Sequence, residues 1–189
     1  MLGVAMPASA HFILVAPDSW VVENQLGDPQ KAGPCGEGAA GVTPTNKITP
    51  MAGGSKLHIK VQETIYHPGQ YRVALSVKGR YELPADPEAT VEMGPRGFVS
   101  VSGKIDPNPK PPVLADGLFV HHEAQAKGSF WETDVQLPNI NCDKCTVQVI
   151  QFMEKHGLNK EGYYTYHHCA DLKITANPKL PLSKGWPKP

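Results

Sequence analysis

His11 occupies the most distinctive chemical position in the sequence. It follows Ala8-Ser9-Ala10, the small-x-small signature of a signal-peptidase site. Cleavage there leaves a chain whose first residue is a histidine. That end offers two nitrogens to one ion, the free α-amine and the ring Nδ1. A terminal amine titrates at about 7.7–8.0, so a metal can displace its proton near neutral pH. An internal histidine cannot chelate in this way, because its backbone nitrogen is an amide. Any residue can follow a cleavage site by chance, so the idea needs a second ligand.

His67 is the second candidate. It stands in Tyr66-His67-Pro68-Gly69-Gln70-Tyr71-Arg72, where Pro-Gly makes a tight turn between two strands and puts His67 on a rim. On position alone, a turn histidine that caps a backbone group is the commoner reading. A third cluster, Tyr163-Tyr164-Thr165-Tyr166-His167-His168-Cys169-Ala170-Asp171-Leu172, reads as a strand. Its parity puts Tyr166 and His168 on one face and His167, Cys169 and Asp171 on the other.

The chain that must position these residues has 189 residues, with 18 Lys+Arg against 18 Asp+Glu. That length suits one domain with a real core. Formal neutrality argues against nucleic acid and anionic membrane as main partners, since both need a basic field; it is compatible with an uncharged polysaccharide. No apolar run approaches the roughly 18 residues of a spanning helix. The leader is short and lacks a basic n-region, so a misplaced start or a truncated sequence is expected. Four cysteines after an export signal suggest two disulfides, with Cys142-x-x-Cys145 open to a redox or copper-binding reading.

Helical spacing is scarce. Short alternating runs bounded by Gly, Pro and Asn predict about seven strands: 11–16, 56–63, 70–77, 98–101, 130–137, 145–153 and 169–174. The predicted fold is all-β, an immunoglobulin- or fibronectin-III-like antiparallel β-sandwich with long loops at 24–55 and 103–118. Residues 1–10 are expected to be the cleaved signal fragment, 11–175 the sandwich, and 176–189 a Pro-rich tail packed down by Trp186.

Together the motifs resemble one family, the lytic polysaccharide monooxygenases and other histidine-brace copper proteins. They are the post-cleavage His11, His67-Pro68-Gly69 followed by Tyr71, the Cys142-x-x-Cys145-Thr146-Val147-Gln148 strand, and Tyr166-x-x-Cys169-Ala170-Asp171-Leu172. The last is similar to the closing motif of the bacterial and animal forms. The resemblance implies one copper per chain, held by the amine and Nδ1 of His11 and by Nε2 of His67, a nitrogen set suited to Cu(II) and Cu(I). It implies that Tyr166 fills the axial position and that His168, on the same face, hydrogen-bonds there or is a further ligand. It also implies disulfides Cys35–Cys169 and Cys142–Cys145.

The implied function is oxidative cleavage of a polysaccharide of the chitin or cellulose kind by a secreted or periplasmic monomer supplied by an external electron donor. The rival is a copper-handling protein that uses the same brace without turnover; a sugar-binding or structural sandwich with coincidental histidines is the third reading. One departure favours the carrier. Many active members carry Gln or Glu two or three residues before the axial aromatic, and here those positions are Tyr163 and Tyr164. Gln148, Gln151 or Glu161 are the candidates to substitute in space. Trp20, Tyr66 and Tyr163 are the candidate substrate-facing aromatics. His58, His121, His122 and His156 are read as surface or turn residues, with His121-His122 a possible second metal pair.

Overall fold

The computed structural model of the protein describes residues 10–37 and 41–186. Residues 1–9 of the expected signal fragment and the last three of the tail lie outside that set. Ten strands follow in order: β1 (His11–Ala16), β2 (Ile48–Ala52), β3 (Lys56–Ile65), β4 (Gly69–Ser76), β5 (Ala89–Gly94), β6 (Gly97–Gly103), β7 (Val113–His121), β8 (Trp131–Gln136), β9 (Cys142–Met153) and β10 (Thr165–Thr175). All seven expected strands are present. The three extra ones had weak sequence signals for identifiable reasons. β2 contains Pro50, which a central strand would not tolerate, but β2 is the edge of its sheet. β5 is mostly exposed, and β7 follows a Pro-rich run and carries Asp116-Gly117.

The strands form a sandwich of two sheets, β1-β3-β8 and β2-β10-β9-β4-β7, with β5-β6 as a separate hairpin. Pairing is antiparallel except for β2, which runs parallel to β10. The purely antiparallel expectation is corrected at that one edge: β2 reaches the sheet after a long loop rather than a hairpin turn. One core lies between the sheets. Leu57, Ile59 and Val61 of β3 face Tyr71, Val73 and Leu75 of β4, as their alternation predicts, and Phe12 and Leu14 of β1 fill the same layer.

The larger sheet is also covered on its outer face, which is why β4 is buried along its whole length. There the N-terminal loop brings Trp20 and Cys35 against Cys169. Disulfides join Cys35 to Cys169, 134 residues apart in sequence, and Cys142 to Cys145. The first closes a loop whose chain-entropy contribution is about 5 kcal/mol. The tail is held by Asn139, whose side-chain N–H groups donate to the carbonyls of Asn177, Leu180 and Pro181. Trp186 packs against the core.

One end of the sandwich positions the histidines. β1 opens with His11 opposite Ile65, the last residue of β3. From there the chain crosses to the other sheet through Tyr66-His67-Pro68 and enters β4 at Gly69. Gly69 cannot carry a side chain, since a Cβ would run into the Phe152 carbonyl of β9. His67 therefore sits at the seam between the sheets, two residues beyond the partner of His11.

Candidate metal centre

Four rings form an arc at this end. His11 meets Tyr166 edge-on at 5.4 Å between centroids, Tyr166 lies 6.0 Å from His156, and His156 lies 5.0 Å from His67. All four residues are buried. Tyr166 reaches the arc because β10 begins one residue earlier and pairs it with Gln151 of β9.

His11 has a carboxylate neighbour at one of its ring nitrogens. Nε2 lies 3.6 Å from Asp28 Oδ2, so the carboxylate takes the nitrogen that a brace would not use. Such a partner fixes ring orientation in metal-binding histidines. For His67, Nε2 is buried and has no hydrogen-bond partner. A buried imidazole nitrogen left without a partner is costly; Nδ1 of His167 and of His168 share that state, but only His67 stands on the arc that reaches His11. Burial pushes the His67 pKa down to about 4, helped by His156 and opposed by a backbone hydrogen bond at Glu154 and the Glu63 charge. The ring is therefore neutral at pH 7, the form that donates a lone pair. Burial, with the Asp28 charge, raises the Tyr166 phenol to about 12, so it stays protonated.

Behind His67 lies a polar plug. His121 places Nδ1 2.7 Å from the Phe119 carbonyl and Nε2 2.8 Å from the His67 carbonyl and 3.0 Å from Glu63 Oε1. Acceptors on both nitrogens suit the imidazolium, which alone donates from both. Burial works to lower the His121 pKa, but the Glu63 carboxylate and the two carbonyls outweigh it and leave it raised. Glu63 also accepts from Gln151 Nε2 at 2.7 Å and from the Trp131 indole at 3.4 Å. This network ties the backbone of His67 to β3, β7 and β9.

The remaining sequence candidates fall into place around it. His168 is fully buried on the same face as Tyr166 but does not join the arc. Its Nε2 donates to the Phe12 carbonyl at 2.9 Å, its Nδ1 lies 3.2 Å from Glu23 Oε1, and its ring packs against Phe12. It holds β1 one residue beyond His11. His167 faces the other way, as parity predicts, and bonds Asp86 at 2.8 Å. Gln148 is spent on the Pro34 carbonyl on the outer face, Glu161 is exposed, and Gln151 is the one that lies across from Tyr166. Trp20 is buried beneath Arg80, whereas Tyr66 and Tyr163 are exposed.

The reading of His121-His122 as a surface pair is corrected: His121 is buried by its three acceptors, and only His122 is exposed, 3.5 Å from Glu154. Among the described residues no group of three or more His, Cys, Asp or Glu side chains is placed to hold a metal. A brace needs only two rings, because its third donor is a backbone amine.

His156 follows a polar turn, as its sequence suggests, but its ring is buried rather than solvent-facing. Lys155 adopts a positive φ of 55°, and the Ser100 hydroxyl accepts from the His156 N–H at 3.1 Å. These turn the ring inward. A left-handed lysine in a loop has no signature that a single sequence reveals.

No protein-family model matches the sequence, and no curated protein matches it. Among solved structures, the chain is similar to the lytic polysaccharide monooxygenase AA15 from Thermobia domestica in the Cu(I) state. The TM-score is 0.52 at 16% identity, covering 87% of this chain and 99% of that one. No helix among the described residues is long and apolar enough to cross a membrane. The chain is thus an all-β sandwich with the fold of a lytic polysaccharide monooxygenase.

Proposed function

We propose that the protein, exported and cut before His11, is a monomeric copper protein that oxidatively cleaves a polysaccharide. The observation that carries this reading is the unpartnered, buried Nε2 of His67 at the seam where β1 begins. The likeness in fold to a copper monooxygenase supports it. His11, through its amine and Nδ1, and His67, through Nε2, are the residues that would hold one copper ion. Bound there, copper supplies one-electron redox chemistry toward peroxide or dioxygen, with electrons from an external donor.

The protein's own residues supply order around that ion. Asp28 orients the His11 ring by its Nε2. His121 holds the His67 backbone through the carbonyl, and Glu63 holds His121. Tyr166 covers one side of the His11 ring with a phenol that keeps its proton. His168 fixes the Phe12 carbonyl and with it the start of β1.

The second reading is copper handling without turnover. It is favoured by Tyr163 and Tyr164, which stand where many active relatives carry Gln or Glu. It is favoured too by Gln151, whose amide is engaged with Glu63. Incubation of the copper-loaded protein with chitin, cellulose and charged polysaccharides, a reductant and peroxide separates the two. Oxidised chain ends support the enzyme. Tight copper binding with no oxidised product from any glycan supports the carrier, and weak copper binding by protein beginning at His11 overturns both.

A further inference from the structure

Beside the ring arc runs a groove of about 400 Å³ that begins at Tyr166 and His156. Its walls are the tip of the β5-β6 hairpin, the 155–159 turn and Lys31. Lys31, Arg96 and Lys155 line it, and among the described residues no Asp or Glu does. In a chain whose charges balance at 18 to 18, three cations without a lining carboxylate form a local field of one sign. Phe98, half exposed, and Leu158 add apolar surface between the cations. The opposite flank, past Tyr66, differs: it carries Glu63 and Lys127, one charge of each sign.

The groove is built rather than incidental. Backbone bonds join the hairpin to the turn: Ser100 N–H donates to the His156 carbonyl at 3.0 Å and Lys155 N–H to the Ser100 carbonyl at 2.8 Å. The Ser100 hydroxyl donates to the Met153 carbonyl at 2.6 Å. Asn159 Nδ2 donates to the Lys31 carbonyl at 3.1 Å, which brings the third cation to the same wall. Three segments far apart in sequence are thus fixed around one channel.

We infer that this groove binds an anionic polysaccharide and leads it to the histidine arc. The inference rests on the polysaccharide reading above and narrows its substrate class. A linear glycan carrying carboxylate or sulfate on successive sugars would pair with Arg96, Lys155 and Lys31, while Phe98 takes the apolar face of a sugar ring. Neither chitin nor cellulose has a charge for these cations to meet.

The test uses metal-free protein beginning at His11, so that it does not depend on copper. Binding to polygalacturonate, to a sulfated glycosaminoglycan and to soluble chitin and cellulose oligomers is measured by calorimetry at low and raised salt. Expected is binding to at least one anionic glycan, weakening as salt rises, with about a tenfold loss in R96Q/K155Q. Which anionic arm binds names the group, carboxylate or sulfate. Charge reversal at a cation outside the groove, Lys173→Glu, should leave binding unchanged. The inference is overturned if neither anionic glycan binds, if the neutral oligomers bind as well, or if R96Q/K155Q binds like the parent while remaining folded. Copper titration of the same preparations reports separately on the brace, so either reading can fail while the other stands.

Discussion

The sandwich keeps its buried histidines in two chemically different settings. On β10 and at the end of β7, the imidazoles stand against carboxylates: His167 against Asp86, His168 against Glu23, His121 against Glu63. At the seam between the sheets, His67 has no carboxylate hydrogen bond among the described residues and instead packs edge-on against His156. Burial costs a polar group unless something satisfies it. Each of the first three makes at least one hydrogen bond that ties it to another part of the fold, yet Nδ1 of His167 and of His168 are, like His67 Nε2, buried without a hydrogen-bond partner among the described residues; what sets His67 apart is its place on the ring arc. Residue type alone does not distinguish these histidines; their places in the fold do.

The largest effect is expected from altering the chain end. Retaining Ala10 ahead of His11 converts the proposed amine to an amide, and copper affinity measured by competition titration should fall by about a hundredfold or more. Equal affinity with and without Ala10 would remove the brace. Next comes a paired substitution. His67→Ala should abolish tight copper binding and cost roughly 1 kcal/mol of stability, whereas His168→Ala should cost about 3 kcal/mol, because it strands the Phe12 carbonyl and leaves a cavity in the interior. Denaturant melts read both. If His168→Ala lost copper without losing stability, His168 would belong with His67 after all.

The carboxylates behind the adjacent histidines offer a finer probe, since their shifts have opposite signs. Burial works to raise Asp86, but the hydrogen bond and charge of His167, the Thr165 hydroxyl and Arg72 prevail and hold its carboxyl below its ordinary 3.8. Its stabilisation is present above that value and is lost as pH falls through the lower folded value. Burial raises Glu23 to about 7, against hydrogen bonds from Ser19 and Leu14, so its contribution is full below 4.5 and is lost as pH rises toward 7. Asp86→Asn should therefore flatten the acid limb of a stability–pH curve, and Glu23→Gln should remove a decline between 4.5 and 7. The smallest effect is expected from Tyr166→Phe. It keeps the ring edge against His11 and should leave copper affinity within about twofold, as expected where no hydrogen bond is removed.

Much of the fold was legible because alternation and turn chemistry are local. The inward faces of β3 and β4 could be read from Leu57-Ile59-Val61 and Tyr71-Val73-Leu75, and His67 was placed on a rim by Pro68-Gly69. Parity correctly turned His167 away from Tyr166. What escaped were features set by distant chain segments. β2 was hidden because Pro50 forbids a central strand but not an edge. His156 was hidden because its inward turn depends on Ser100, which lies 56 residues away. His121 was misjudged because Glu63 and the His67 carbonyl, which bury it, arrive from another strand.

The sequence by itself determined the all-β pattern, the four cysteines, and the order in which a small-residue cleavage motif, a turn histidine and a closing Tyr-x-x-Cys follow one another. Tertiary structure decided which histidines gather into the ring arc and which brace the core, because that depends on how two sheets stack. It also decided where three balanced-out lysines and arginines gather into one groove, since charge adds up in space, and sequence counts it only as a sum.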